Sequence, residues 1–230
     1  MFFPLLLLFS LFSSAHANEE KDEFDMSWLD EDKVIYVVQP RKIPKVDRFE
    51  FALSGGIKVD SPFRTTRILM PRLYHYFTEK LGAALTIAIK QNDQSSEFLR
   101  VKNESSVLPN VRDMRNFYGM SFLWMPFFAK MNFFNKLTYM DWHFELGLGQ
   151  ANTEIDLNFN PTNPSNIDRS SHLTLLLGTG HRYTLGKNFT ARIELLAMLY
   201  NAASGVGGRI TTKEVLNKDY QITAGIGYTF

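Results

Sequence analysis

The sequence has no cysteine among its 230 residues, which excludes a disulfide framework, a thiolate metal site and a cysteine-linked lipid anchor. It has no excess of either charge: 25 Lys and Arg stand against 24 Asp and Glu, a net of +1. The chain as a whole therefore makes no electrostatic case for nucleic acid. Long apolar runs are missing beyond Phe12, and mean hydropathy is -0.16. No segment approaches the roughly 20 apolar residues that a spanning helix needs. Chemical motifs are scarce too. The five histidines are dispersed, with no ligand-spaced pair, so no metal site is expected. Gly205-Val206-Gly207-Gly208 does not bridge a strand and a helix as a phosphate-binding loop would. No cofactor is expected.

What the sequence has in abundance is aromatic residues, with 20 Phe, 9 Tyr and 3 Trp, and strict alternation. In residues 220–230, Tyr220, Ile222, Ala224, Ile226, Tyr228 and Phe230 share one phase, and Gln221, Thr223, Gly225, Gly227 and Thr229 the other. Successive side chains of a strand point to opposite faces, so this segment has one apolar wall and one small, polar wall. Aromatic rings close both ends of the apolar wall. That pattern predicts a strand with lipid on one side and a barrel interior on the other.

Residues 1–17 read as a secretory signal. The apolar stretch 2–12 is followed by the small-x-small pattern Ala15-His16-Ala17, although no Lys or Arg precedes it. Residues 18–47 form an arm, acidic over 19–32 and then basic with Pro40 and Pro44. Its composition predicts a solvated terminus.

Residues 48–230 contain seven further alternating segments. Residues 48–59 set Phe49, Phe51, Leu53, Ile57 and Val59 against Glu50, Ala52, Ser54, Gly56 and Lys58. Residues 81–89 and 118–124 follow the same scheme, the latter ended by Pro126. The aromatic and basic stretch 127–136 suits a connection lying on the membrane surface. Residues 138–149 are the clearest: Met140, Trp142, Phe144, Leu146 and Leu148 oppose Asp141, His143, Glu145, Gly147 and Gly149. Residues 172–183 and 189–200 complete the set. In the former His181 falls in the apolar phase, where a rim position would tolerate it.

The second segment, residues 68–77, is ambiguous. Arg72 falls in phase with Ile68, Met70 and Tyr74, and the opposite phase carries Pro71. An Arg facing lipid at the midplane costs about 2–4 kcal/mol, and almost nothing at the interface. Arg72 is therefore expected near a rim, or Pro71 at a bulge that resets the phase.

Eight strands with long polar connections at 91–113, 152–169 and 201–218, and shorter ones between them, predict an all-β fold. It is an eight-stranded antiparallel transmembrane up-and-down β-barrel with periplasmic termini and a periplasmic N-terminal arm. A soluble eight-stranded barrel is the competing architecture. It would have to turn the wall bearing Trp124, Trp142, Phe144 and Ile226 inward and expose a Gly-rich, thinly charged exterior.

The segment Val37-Val38-Gln39, the basic Pro-containing stretch after it and the first strand resemble the outer-membrane β-barrel domain family of myxobacteria and related predatory bacteria. Tyr76-Phe77-Thr78-Glu79 and Phe134-Asn135-Lys136 fall at turns, where that family would keep short motifs. The resemblance covers residues 34–230 and implies the architecture, with no catalytic residues to carry over. The terminal Tyr228 and Phe230 are similar to the signal read by the barrel assembly machinery.

The inward phases carry charges of both signs: Glu50, Lys58, Arg67, Asp141, His143, Glu145, His172, Arg192 and Glu194. An eight-stranded barrel is just wide enough to be filled by side chains, and buried charges persist only when paired. A plug of salt bridges without an open pore is the expected result. The expected role is structural or interactive, with outer-membrane lipid, the assembly machinery and a protein reached by the arm or outer loops as partners. The alternatives are a narrow porin and an envelope lipid hydrolase or acyltransferase. The latter would use a Ser–His–carboxylate set drawn from His143 with Asp141 or Glu145, or His172 with Ser170 or Ser171.

Overall fold

The computed structural model describes residues 43–105, 111–133, 136–157, 167–206 and 209–230. The predicted signal peptide, arm residues 18–42 and the turn Phe134-Asn135 lie outside the described residues. Eight strands and one helix are described: β1 (Arg48–Lys58), β2 (Arg64–Tyr76), β3 (Leu81–Gln94), α1 (Ser96–Ser105), β4 (Arg112–Phe133), β5 (Lys136–Asp156), β6 (Ile167–Thr184), β7 (Phe189–Val206) and β8 (Arg209–Thr229).

Each strand pairs antiparallel with the next, and β8 returns to β1, so the sheet is a closed ring. At the seam Glu50 opposes Thr229 and Lys58 opposes Gln221. Closure gives every strand two neighbours and leaves no edge, the condition for a sheet in lipid. The outer wall exposes Phe51, Leu53, Leu85, Met120, Leu146, Leu148, Leu195 and Ile226. The inner wall buries Glu50, Arg72, Asp141, Glu145, Arg192 and Glu194. A water-soluble chain distributes these residue types the other way. Apolar outside and charged inside is the arrangement that lipid selects.

An aromatic girdle rings the end that holds both termini of the barrel. Phe49 lies 4.4 Å from His75 and 6.2 Å from Phe230 between ring centroids. Trp142 contacts Phe127, Phe144 and His181, and Phe189 meets Tyr228 edge-on at 5.4 Å. Such belts mark the level where lipid headgroups begin. His181 is thus accommodated at a rim, among aromatic rings.

Several strand limits differ from the sequence expectation. β4 does not end at Pro126. It continues to Phe133, with a one-residue register shift against β5 between Trp124 and Phe127. A bulge is where a strand accepts a residue without an N–H. The stretch 127–133 is therefore strand, and the surface connection expected there is corrected. The expected loops 152–169 and 201–218 are likewise partly strand, since β5 runs to Asp156, β6 begins at Ile167, β7 reaches Val206 and β8 begins at Arg209. Beyond the lipid both strand faces meet water or polar contacts, so apolar alternation vanishes while the hydrogen-bond ladder continues. α1 occupies part of the stretch 91–113.

β2 corrects the expectations for Arg72 and Pro71. Ile68, Met70, Arg72, Tyr74 and Tyr76 are buried inside the barrel, and Leu69, Leu73 and Phe77 are exposed outside. The register with β1 is continuous, Ala52 opposing Arg72 and Leu53 opposing Pro71, so no bulge resets the phase. Arg72 sits in the interior because its ion partners are there. Arg67 is also corrected: it faces outward, its side chain 69% exposed, 3.6 Å from Asp93, and takes no part in the interior.

Candidate functional site

The interior groups assemble in layers along the bore. Alternation fixes which side chains point inward, and closure then brings together residues distant in sequence. At the terminus-bearing mouth, Asp47 adopts a left-handed φ of 56° at the turn into β1. Just before it, Lys45 enters the barrel. Its Nζ lies 3.1 Å from Asp141 Oδ2 and 3.1 Å from Met125 Sδ, and its N–H donates to Glu79 Oε1 at 2.9 Å. Asp141 Oδ2 also meets Arg182 Nη1 at 3.3 Å.

Glu50 is the centre of the next layer. Oε1 accepts from Arg192 Nε at 2.9 Å and from Thr190 Oγ1 at 2.8 Å. Oε2 accepts from Arg182 Nε at 2.9 Å and from the Tyr76 hydroxyl at 3.1 Å. Arg192 also donates to Tyr76 Oη and lies 3.7 Å from the centroid of the Tyr74 ring.

Arg72 spans the middle. From β2 its Nη1 donates to Glu194 Oε2 on β7 at 3.0 Å, and its Nη2 bonds to Glu145 Oε1 on β5. Its Nε donates to Thr86 Oγ1 at 3.0 Å. Tyr74 donates to Glu194 Oε1 at 3.2 Å, and Ser121 to Glu145 Oε1 at 2.5 Å. Arg72, Arg192, Tyr74 and Tyr76 are among the largest fully buried side chains. Toward the outer mouth a separate layer pairs Asp219 with Lys90 at 2.6 Å and with Lys58 at 3.3 Å.

Of the candidates, Glu50, Asp141, His143, Glu145, Arg192 and Glu194 are brought together. Lys58 belongs to the outer layer, His172 to the rim, and Arg67 to neither. Arg72, Arg182, Tyr74, Tyr76, Lys45, Lys90 and Asp219 were not among the candidates. The inward phase of Arg182 was readable on β6, and Arg72 was readable once polar residues are assigned inward. Nothing in the sequence announces Lys45.

His143, Glu145 and Glu194 offer ligand atoms within 4.8 Å of one another. His143 Nε2 lies 3.4 Å from Glu194 Oε1, and neither ring nitrogen makes a hydrogen bond. The set nevertheless suits no dication. Arg72 already pairs with both carboxylates, and among the described residues of these layers Lys45, Arg72, Arg182 and Arg192 balance Glu50, Asp141, Glu145 and Glu194. A dication would add two uncompensated buried charges.

At the outer rim Ser170 Oγ lies 2.9 Å from His172 Nε2. Arg112 Nη1 donates to Ser170 Oγ at 2.7 Å and to Thr153 Oγ1 at 2.9 Å, and its Nη2 to the Ala203 carbonyl at 2.7 Å. Burial first, and the Arg112 guanidinium second, hold the half-buried His172 imidazole below its usual range. His172 stacks on Tyr200 with centroids 5.7 Å apart. The backbone of Asn201 supplies its further hydrogen bond. Asp141, His143 and Glu145 lie far below in the bore, committed to ion pairs or to the Arg72 cluster.

The geometry decides the class: a closed ring, lipid-suited outside, filled by paired charges inside. This is an outer-membrane-type β-barrel. Solved structures with a similar chain course include the N-terminal β-barrel domain of OprF from Pseudomonas aeruginosa, at 14% identity and TM-score 0.48, covering 80% of this chain and 98% of that one. Neisserial surface protein A matches at 11% identity and TM-score 0.45, covering 80% and 97%. Ail of Yersinia pestis matches at 12% and 0.43, covering 80% and 100%. No protein-family model matches the chain, and no curated protein sequence matches it. Nothing in these comparisons favours the myxobacterial family in particular.

Proposed function

We propose that the protein is a small integral barrel of the Gram-negative outer membrane, with a structural or interaction role and no open pore or catalytic activity. One observation carries this reading. Arg72 reaches from β2 to carboxylates on β5 and β7, so its guanidinium and partners occupy the bore. Pairing across so narrow a barrel braces its wall and leaves no water column for solutes.

Planar-bilayer recordings test the reading. The wild-type barrel gives no steady single-channel conductance, and an Arg72→Ala/Tyr74→Ala/Arg192→Ala variant does. Steady conductance of the wild type would overturn the plugged interior. Heat-dependent migration of the detergent-folded protein on a gel tests the barrel itself.

A second reading, hydrolysis, has the Ser170–His172 contact in its favour. Ser170 Oγ is already held by Arg112, and the same guanidinium, after burial, holds the His172 imidazole below its usual range, which weakens it as a base. Lipid profiles unchanged in a Ser170→Ala strain agree with the non-catalytic role, and loss of a deacylated lipid species would sink it.

Two kinds of partner belong to this reading. Tyr228 and Phe230, both facing lipid, are offered to the barrel assembly machinery. Arm residues 18–42 and the outer connections are offered to an envelope protein. A crosslinking pull-down with the arm as bait tests the latter.

A further inference from the structure

Above the lipid band, on the outer face of β4, β5 and β6, lies a polar pocket of about 460 Å³ lined by Arg115, Asn116, Asn152, Glu154, Arg169 and Ser171, with Thr153 and Ser170 at its back. We propose that it binds the phosphorylated sugar headgroup of a glycolipid in the outer leaflet. The inference rests on the outer-membrane reading above and names the lipid that one part of the wall selects.

Position is the first argument. On this face the apolar wall ends at Tyr118, Leu148 and Leu173, and Gln150 opposes Leu173 in the ladder. Asn152 stands four residues beyond Leu148 and two beyond Gln150, the partner of Leu173, which on strands tilted by roughly 40° places it about 5–10 Å above the hydrocarbon. Phosphates and sugars of a lipid headgroup lie at that level. A pocket on the inner wall or in the hydrocarbon band could not meet them.

Charge is the second. Arg115 Nε lies 3.2 Å from Glu154 Oε1, and Arg169 Nε lies 3.9 Å from Glu154 Oε2. Glu154 opposes Arg169 in the ladder. The β4–β5 register shifts between Met114 and Asn116, and this bulge turns Arg115 outward beside Glu154. Two guanidiniums facing one carboxylate leave one positive charge. The approach of each to Glu154 is through Nε, an orientation in which terminal nitrogens can turn to a bidentate, doubly charged acceptor such as a phosphate monoester. Asn116, Asn152 and Ser171 supply the neutral donors and acceptors that sugar hydroxyls need. Glu154 fixes the spacing between the arginines.

The test uses the full folded chain in phosphatidylcholine nanodiscs containing a small share of a bisphosphorylated glycolipid. Native mass spectrometry after release into detergent counts the glycolipid retained. Wild type retains it. Arg115→Gln/Arg169→Gln retains roughly tenfold less, because each lost guanidinium removes a charge-assisted contact. Arg67→Gln, at a comparable outward position on β2, retains as much as wild type. Equal retention of the dephosphorylated glycolipid, or undiminished retention by the double variant, overturns the proposal. Binding of a free sugar phosphate as tight as that of the lipid would overturn the lipid as its source. A chain that shows no heat-dependent gel shift has failed as a membrane barrel, which separates that failure from failure of the pocket.

Discussion

Arg72 on β2 and Glu194 on β7 meet across the lumen at 3.0 Å, 122 residues apart in the chain. The contact cannot form until the ring closes, and once formed it ties opposite walls together. Removing one partner leaves an uncompensated buried charge, which costs far more than the pair contributes.

Arg72→Ala is therefore expected to lower unfolding stability by about 3–5 kcal/mol, read as the urea midpoint of the barrel refolded in vesicles. Arg72→Met combined with Glu145→Gln removes one charge of each sign, leaves Glu194 beside Arg192, and should recover much of the loss. A double variant no better than Arg72→Ala would refute the account of a paired plug.

The seam between β8 and β1 depends on a missing side chain. A Cβ at Gly227 would stand 2.5 Å from Thr190 Oγ1 and 2.7 Å from Glu50 Oε1. Gly227→Ala must displace the carboxylate on which Arg182 and Arg192 converge, and is expected to cost about 1–3 kcal/mol. Gly186, where a Cβ would meet nothing within 4 Å, serves as the control, and equal midpoints for the two alanine variants would contradict this.

Phe230 donates its N–H to the Phe49 carbonyl at 2.9 Å and stacks on the Phe49 ring. These contacts close only the last rung of the seam. Deleting Phe230 should reduce insertion in cells while shifting the midpoint of the purified, folded barrel little. Surface levels equal to wild type would argue against its role in assembly.

His172 gives the outer rim a pH dependence. Its imidazole is held below the usual 6.5, so the folded state binds the proton less readily than the unfolded chain. The associated stability is present above that value and is lost as pH falls through the lowered one. Slow acidification from pH 7 should loosen the rim first, seen as faster amide exchange at Thr153 and Ser170. His172→Gln should flatten that response, and an unchanged exchange profile in the variant would exclude His172 as its source.

The sequence by itself determined the wall. Period-two alternation in β1, β3, β5, β7 and β8 assigns each side chain to lipid or lumen from local information, because a strand leaves only those two directions. It failed on β2, where Ile68, Met70, Tyr74 and Tyr76 make the inner phase nearly as apolar as the outer one, so that period alone could not orient Arg72 or expel Arg67. It also failed where strands leave the lipid, as in Arg112–Asn116 and Asn152–Asp156, because no apolar face remains to mark them. Only the tertiary structure decided which inward charges meet. Glu145, Glu194 and Arg72 lie on three strands, and their pairing depends on ring closure and register. The same closure, carrying β6 beside β5 and β5 beside β4, set Arg115 and Arg169 on either side of Glu154. Local sequence carries the direction of a side chain, and distance across a barrel is a property of the whole sheet.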